Sequence, residues 1–176
     1  YRDVDGDGIT YRTLPGTDHP NAAWFARGTG HDDHALYSED PDVWESNMER
    51  LWRKIESASA MVPEPVVRKV EKARIGVIAY GSTDQAIIEA QDHLQNNQPF
   101  DYMRIRAVPF NDDVSRFIHE HDRVYVVEMN HEGQMRQLLT LDFPEHAVKL
   151  RSLCKNNGLP LTAAWVEEAI LAGEQN

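Results

Sequence analysis

Arg123-Val124-Tyr125-Val126-Val127-Glu128-Met129 is the stretch on which the fold turns. Its β-branched and aromatic residues form an unbroken apolar run, which suits a short strand buried on both faces. Asn130 to Gly133 follows as a polar loop ending in glycine, and Gln134 to Thr140 reads as a helix. The same strand, loop and helix unit recurs on either side. Upstream, Arg74-Ile75-Gly76-Val77-Ile78-Ala79-Tyr80 is a second apolar run. Gly81-Ser82-Thr83 is its turn and cap, and Ala86, Ile87, Ala90 and Leu94 share one face of the next helix. Tyr102 to Val108 reads as a strand, Pro109 as a breaker, and Val114, Phe117 and Ile118 as the face of another helix. Downstream, Val148 to Cys154 is a strand and Asn156-Asn157-Gly158 a turn. Thr162 opens the last helix, which carries Ala164, Trp165, Ala169, Ile170 and Leu171. Strands alternating with helices over residues 73–176 predict an α/β domain. Its sheet is expected to be mostly parallel, of about four to five strands, with helices on both faces.

Residues 1–72 are expected to be an irregular and helical connecting segment. The first forty are crowded with Gly, Pro, Asp and His and show no period, which marks connection rather than core. Asp40-Pro41 then opens a helix, Asp as cap and Pro in the first turn, with Trp44, Met48, Leu51, Trp52 and Ile55 at helical spacing. That apolar stripe must dock on something. Pro63-Glu64-Pro65 ends the region.

Composition bounds the rest. With 176 residues, 41% hydrophobic and 27% charged, the chain has room for one domain and a tail, and ordinary globular usage. The formal charge of -11 argues against sequence-independent nucleic-acid binding, which needs clustered Lys and Arg. No apolar run is long enough for a membrane helix, and no secretory leader precedes the first elements, so a cytoplasmic location is expected. The start at Tyr1-Arg2-Asp3, without methionine, reads as a fragment or a processed product. Cys154 is the single cysteine, so the chain cannot itself supply the thiolates of an iron-sulfur cluster, and a small half-buried thiol is its expected role.

Several polar groupings offer chemistry. Asp3-Val4-Asp5-Gly6-Asp7-Gly8 fits the first half of a calcium loop, but the twelfth position, where a bidentate Glu belongs, is Leu14. An acidic turn is the simpler expectation. His31 and His34 flank Asp32 and Asp33, a spacing weak for a metal without a third ligand. Glu128, Asn130, Gly133 and Gln134 lie just past the carboxyl end of a central strand, where ligands and partners meet open α/β sheets. They are the interface candidates, and a self-satisfied turn capping the next helix is the competing account. No nucleophile with a nearby base emerges, so no catalytic, cofactor-binding or metal residue is assigned.

Asp122 to Asn130 with Glu132-Gly133-Gln134-Met135 resembles the third strand and turn of the transketolase C-terminal-like domain in the alpha subunit of 2-oxoacid:ferredoxin oxidoreductases. The turn Tyr80-Gly81-Ser82-Thr83, the ending Gly158-Leu159-Pro160-Leu161-Thr162-Ala163 and the early Tyr11-Arg12-Thr13-Leu14-Pro15-Gly16 and Gly28-Thr29-Gly30-His31 stretches are similar to the same subunit, above all its 2-oxoglutarate branch. The resemblance implies a complex that oxidatively decarboxylates a 2-oxoacid to its acyl-CoA with thiamine diphosphate, magnesium and an iron-sulfur cluster, and reduces ferredoxin. The partners it implies are the remainder of the alpha subunit and a beta subunit, with CoA as co-substrate; neither nucleic acid nor membrane is expected. The family's substrate runs, Tyr-Pro-Ile-Thr-Pro and Arg-Gly-Gly-Pro-Ser-Thr-Gly, do not occur here. Its diphosphate signature is matched only by the tripeptide Gly6-Asp7-Gly8, with neither the preceding apolar strand nor the later Asn. The chain alone is therefore expected to be inactive and to serve by assembly. Two alternatives remain: the terminal domain of another thiamine enzyme, of transketolase or 2-oxoacid dehydrogenase type, and a free-standing α/β binding module.

Overall fold

The structure, a computed structural model, describes residues 1–20, 22, 23 and 30–175. Arg27, Gly28 and Thr29 of the early Gly-rich stretch lie outside them. The chain divides into two compact units, Tyr1–Val62 and Pro63–Asn176.

The second unit is the expected α/β domain. Five strands, β1 (Val66–Arg68), β2 (Ile75–Tyr80), β3 (Phe100–Ile105), β4 (Arg123–Glu128) and β5 (Leu150–Cys154), form one sheet in the order β1-β3-β2-β4-β5. β2 runs parallel to β3 and to β4, and β4 to β5; only β1 is antiparallel, against β3. Helices α2 (Asp84–Leu94), α3 (Asp112–Glu120), α4 (Gln134–Asp142) and α5 (Ala163–Glu174) cover both faces. Alternation along β4 divides the core accordingly. Tyr125 and Val127 join Val77, Ala79, Ile87 and Ile170 on the face of α2 and α5. Val124 and Val126 join Ile78, Met103, Phe117, Ile118 and Leu139 on the face of α3 and α4. The face expected for α2, Ala86, Ile87, Ala90 and Leu94, is buried throughout. In α5 the Thr162 hydroxyl caps the helix by accepting from the Trp165 amide at 3.3 Å, but the buried stripe is Ala163, Val166 and Ile170, and Ala164 is exposed.

The strands differ from the sequence reading at β3 and β1, and β5 begins two residues later than read, at Leu150. β3 begins at Phe100 and ends at Ile105, so Asp101 sits inside it and Val108 is exposed beyond it. Asp101 is tolerated in the interior because it accepts from the Val70 amide at 2.8 Å and faces His121 Nε2 at 3.2 Å. β1 is the second difference: three residues after Pro65, paired Val66 to Arg104 and Arg68 to Tyr102, draw the start of the compact unit back to Pro63 from the neighbourhood of Lys72.

The first unit is built differently. Helix α1 (Pro41–Ser59) begins as expected, the Asp40 carboxylate accepting from the Asp42 amide at 2.9 Å with Pro41 in the first turn. The amino-terminal loop is latched to α1 by polar groups. Arg50 donates to the Gly8 carbonyl at 3.2 Å, Ser57 to the Asp7 carbonyl at 2.6 Å, and Arg53 pairs with Asp3 at 3.2 Å. Gly8 has φ +80, and a Cβ there would stand 2.2 Å from the Lys54 amide nitrogen, so only glycine lets this loop lie on the helix backbone. Among the described residues of this unit no apolar side chain is buried.

Candidate functional site

Glu128, Asn130, Gly133 and Gln134 come together at the carboxyl end of β4, and their bonding is complete in itself. Glu128 is fully buried. Its Oε2 accepts from the Met135 amide at 2.7 Å and from Asn130 Nδ2 at 2.8 Å, and its Oε1 accepts from the Arg136 amide at 3.1 Å. Asn130 Oδ1 accepts from the Gly133 and Gln134 amides at 2.8 and 3.2 Å. The amides that open α4, which no turn of the helix can satisfy, are thus met by one carboxylate and one amide oxygen. They have to be, since the cap position is Gly133, with no side chain to offer. Its φ of +67 and the Ser152 Oγ standing 2.4 Å from where a Cβ would lie exclude other residues. A negative charge at this helix start also meets the positive end of the helix dipole.

Tyr80, at the end of β2, completes the cluster and was absent from the sequence reading of it. Its hydroxyl lies 3.5 Å from Glu128 Oε2 and receives Asn130 Nδ2 at 3.4 Å. Burial first, and the Glu128 charge second, hold its phenol above the ordinary tyrosine value. The signal was present in the register: Ile78 pairs with Val126, so two residues on, Tyr80 stands beside Glu128. β2 and β4 are neighbours whose following helices, α2 and α4, go to opposite faces, which makes this the switch point of the sheet. A second group at the same edge was also missed: Asp84 accepts from Tyr102 at 2.9 Å and from Arg104 at 3.2 Å. Burial and then Asp84 raise the Tyr102 phenol.

The remaining candidates separate. Asp3, Asp5 and Asp7 do gather, with ligand atoms within 4.8 Å of one another. Asp3 is already engaged by the Gly6 and Gly8 amides at 3.0 and 3.1 Å and by Arg53, as in a self-satisfied acidic turn. With Asp3 already engaged in this way and Gly8 packed against the α1 backbone, Gly6-Asp7-Gly8 does not fit a magnesium-held thiamine diphosphate. The His31 ring stacks on Tyr1 at 4.5 Å and its Nδ1 lies 3.0 Å from the Asp32 carbonyl; neither it nor His34 joins a metal-ligand cluster among the described residues. Cys154 is half-buried, its Sγ 3.1 Å from Ser152 Oγ, and the one thiolate does not fit an iron-sulfur cluster.

A mostly parallel sheet with helices on both faces, a polar knot at its switch point and a polar arm before it define the class of the chain. No protein-family profile matches it. Among curated proteins it is 29% identical, over 96% of its own length, to 2-oxoacid:ferredoxin oxidoreductase 2, subunit alpha, of Aeropyrum pernix, and 27% identical over 82% to the 2-oxoacid:ferredoxin oxidoreductase subunit alpha of Saccharolobus solfataricus. Among solved structures, the 2-oxoglutarate:ferredoxin oxidoreductase from Magnetococcus marinus with 2-oxoglutarate, coenzyme A and succinyl-CoA bound superposes with a TM-score of 0.76 at 26% identity over 94% of this chain. The chain spans 26% and 24% of the two curated relatives and 29% of the solved one. It is similar to a part of these oxidoreductases, in the two curated relatives a part of the alpha subunit. Among the described residues no helix is long and apolar enough to cross a membrane.

Proposed function

We propose that this chain is the C-terminal assembly part of the alpha subunit of a 2-oxoglutarate:ferredoxin oxidoreductase, located in the cytoplasm. The observation that carries it is similarity in order along nearly the whole chain, together with a TM-score of 0.76 to a 2-oxoglutarate:ferredoxin oxidoreductase with 2-oxoglutarate, coenzyme A and succinyl-CoA bound. In this reading thiamine diphosphate, magnesium and the iron-sulfur cluster reside in other parts of the complex. A beta subunit and the rest of the alpha subunit are its partners, and ferredoxin takes the electrons. The chain itself holds no catalytic residue.

Within the domain, the turn at the switch point is the proposed contact. Glu128 and Gly133 are buried and shape it; Gln134 is exposed and Asn130 half-exposed on its rim, available to another part of the complex. Two measurements test this. The 176-residue chain with thiamine diphosphate, magnesium, CoA, 2-oxoglutarate and an artificial electron acceptor should give no turnover above a cofactor-only background. Co-expressed with the upstream alpha-subunit portion and the beta subunit of its own organism, it should co-purify with them, and Gln134→Arg should lower the yield several-fold while the isolated domain keeps its circular dichroism. Unchanged co-purification would return the turn to helix capping alone.

A further inference from the structure

Helix α1 carries an apolar surface that the described residues of its own unit leave largely exposed. At 3.6 residues per turn, Trp44, Met48, Leu51, Trp52 and Ile55 fall in one sector of about 100°. All five are exposed, Trp44 at 56% and Trp52 at 67%. The opposite side of the helix is the one the amino-terminal loop occupies, through Arg50 and Ser57. A stripe with two exposed indoles is the composition of an interface centre rather than of a solvated helix. Its border is specific as well. Glu45, Glu49 and Glu56, all exposed, line the sector next to Trp52, whereas Lys54 and Arg53 lie on the loop side. A complementary surface would be an apolar groove with Lys or Arg along one lip.

We propose that this stripe docks into such a groove on the part of the alpha subunit that the relatives carry beyond the matched region, with the acidic row facing its basic lip. The inference rests on the assembly function proposed above. Two observations favour this occupant over a second copy. The relatives devote only 24–29% of their length to the matched region, so their own version of this segment is attached to a much larger body of chain. An acidic row is also ill suited to meet itself across a twofold axis, where like charges would oppose.

Residue-resolved hydroxyl-radical footprinting of Trp44 and Trp52, in the free chain and in the complex reconstituted with the upstream alpha portion and beta subunit, tests this. Both indoles should oxidise readily in the free chain at any concentration and about tenfold more slowly in the complex, a change of the size expected for burial of an interface anchor. Trp44→Ser with Trp52→Ser should leave the helical circular dichroism intact and lower co-purification about tenfold. Glu45→Lys with Glu49→Lys and Glu56→Lys should also lower it, by less, and the wild-type pairing should weaken with salt. Equal oxidation in both states, protection already present in the free chain, or protection that grows with its concentration would overturn the proposal. If the complex forms while both Trp44 and Trp52 stay reactive, this inference fails and the assembly function stands. If wild-type chain and complex never associate, both fall.

Discussion

The two units reach order by opposite means. Residues from Pro63 onward bury two apolar layers against a sheet, whereas Tyr1–Val62 holds its loop to α1 by arginine, serine and aspartate and leaves Trp44 and Trp52 of α1 largely in solvent. Burial of apolar area is the dominant favourable quantity in folding, and single polar latches contribute little each on net. The first unit is therefore expected to be the less stable of the two by itself, and the second the more stable.

The sharpest way to break this contrast is to truncate one aromatic in each. Phe117 packs with Val114, Ile118 and Met103 in a closed layer and lies against Gly76, where an added Cβ would sit 2.7 Å from its ring. Phe117→Ala should cost about 3–5 kcal/mol in denaturant unfolding. Trp52→Ala, on the exposed stripe, should change the free chain by no more than about 0.5 kcal/mol. Comparable losses would mean that α1 is packed against apolar surface already in the free chain.

Caps sharpen it at a lower level. Glu128→Ala removes a buried carboxylate that serves two half-buried helix amides and Asn130 at once, and should cost about 2–3 kcal/mol. Asp40→Ala removes one exposed cap from α1, at about 1 kcal/mol. Thermal melts of both variants would show whether buried and exposed caps differ as expected; equal shifts would place the Glu128 site in water.

What the sequence made legible follows the same division. The apolar runs at Ile75 to Tyr80 and Arg123 to Glu128 declared themselves because strands buried on both faces leave no alternation to misread. β3 slipped because Asp101 looks like a turn residue, and its buried partners, the Val70 amide and His121, are 31 and 20 residues away. β1 was hidden by its length of three residues and the prolines beside it. A polar turn after β4, with capping of the next helix as the competing account, was legible; which atoms meet there was not, because that depends on the left-handed backbone of Gly133 and on Tyr80 from another strand. The stripe of α1 was evident from spacing; that its side chains stay exposed among the described residues of their own unit was not.

A smaller effect belongs to the alkaline side. Tyr125 is buried and donates to Glu174 Oε1 at 2.7 Å, and burial, then this bond, push its phenol up to about 12. A raised phenol favours the neutral form in the folded state. Its contribution is complete below the ordinary tyrosine value and is lost as pH rises from about 10 through the folded value. Tyr125→Phe should lose about 1 kcal/mol at neutral pH for the missing hydrogen bond and then show a flatter decline under alkali. Parallel decline in both proteins would assign the alkaline loss to other groups.

The smallest expected effect joins α2 to α5. His93 Nδ1 lies 2.8 Å from Glu167 Oε1, and that hydrogen bond, with the charge of Glu167, raises the imidazole above its ordinary value. His93 is exposed and Glu167 half-buried, so the contribution of the pair is slight and salt-sensitive. The sign is nonetheless fixed. A histidine raised in the folded state adds stability that is fully present below its unfolded value of about 6.5 and lost as pH rises through the higher folded value. His93→Gln should accordingly melt below wild type at about pH 5.5 and match it more closely at about pH 8.5. Added salt should narrow the acidic gap, because it screens the pair and leaves the apolar α2 and α5 contacts untouched. A gap that is constant across pH would mean that His93 acts through packing rather than charge, and one that widens with pH would reverse the protonation state assigned to the pair.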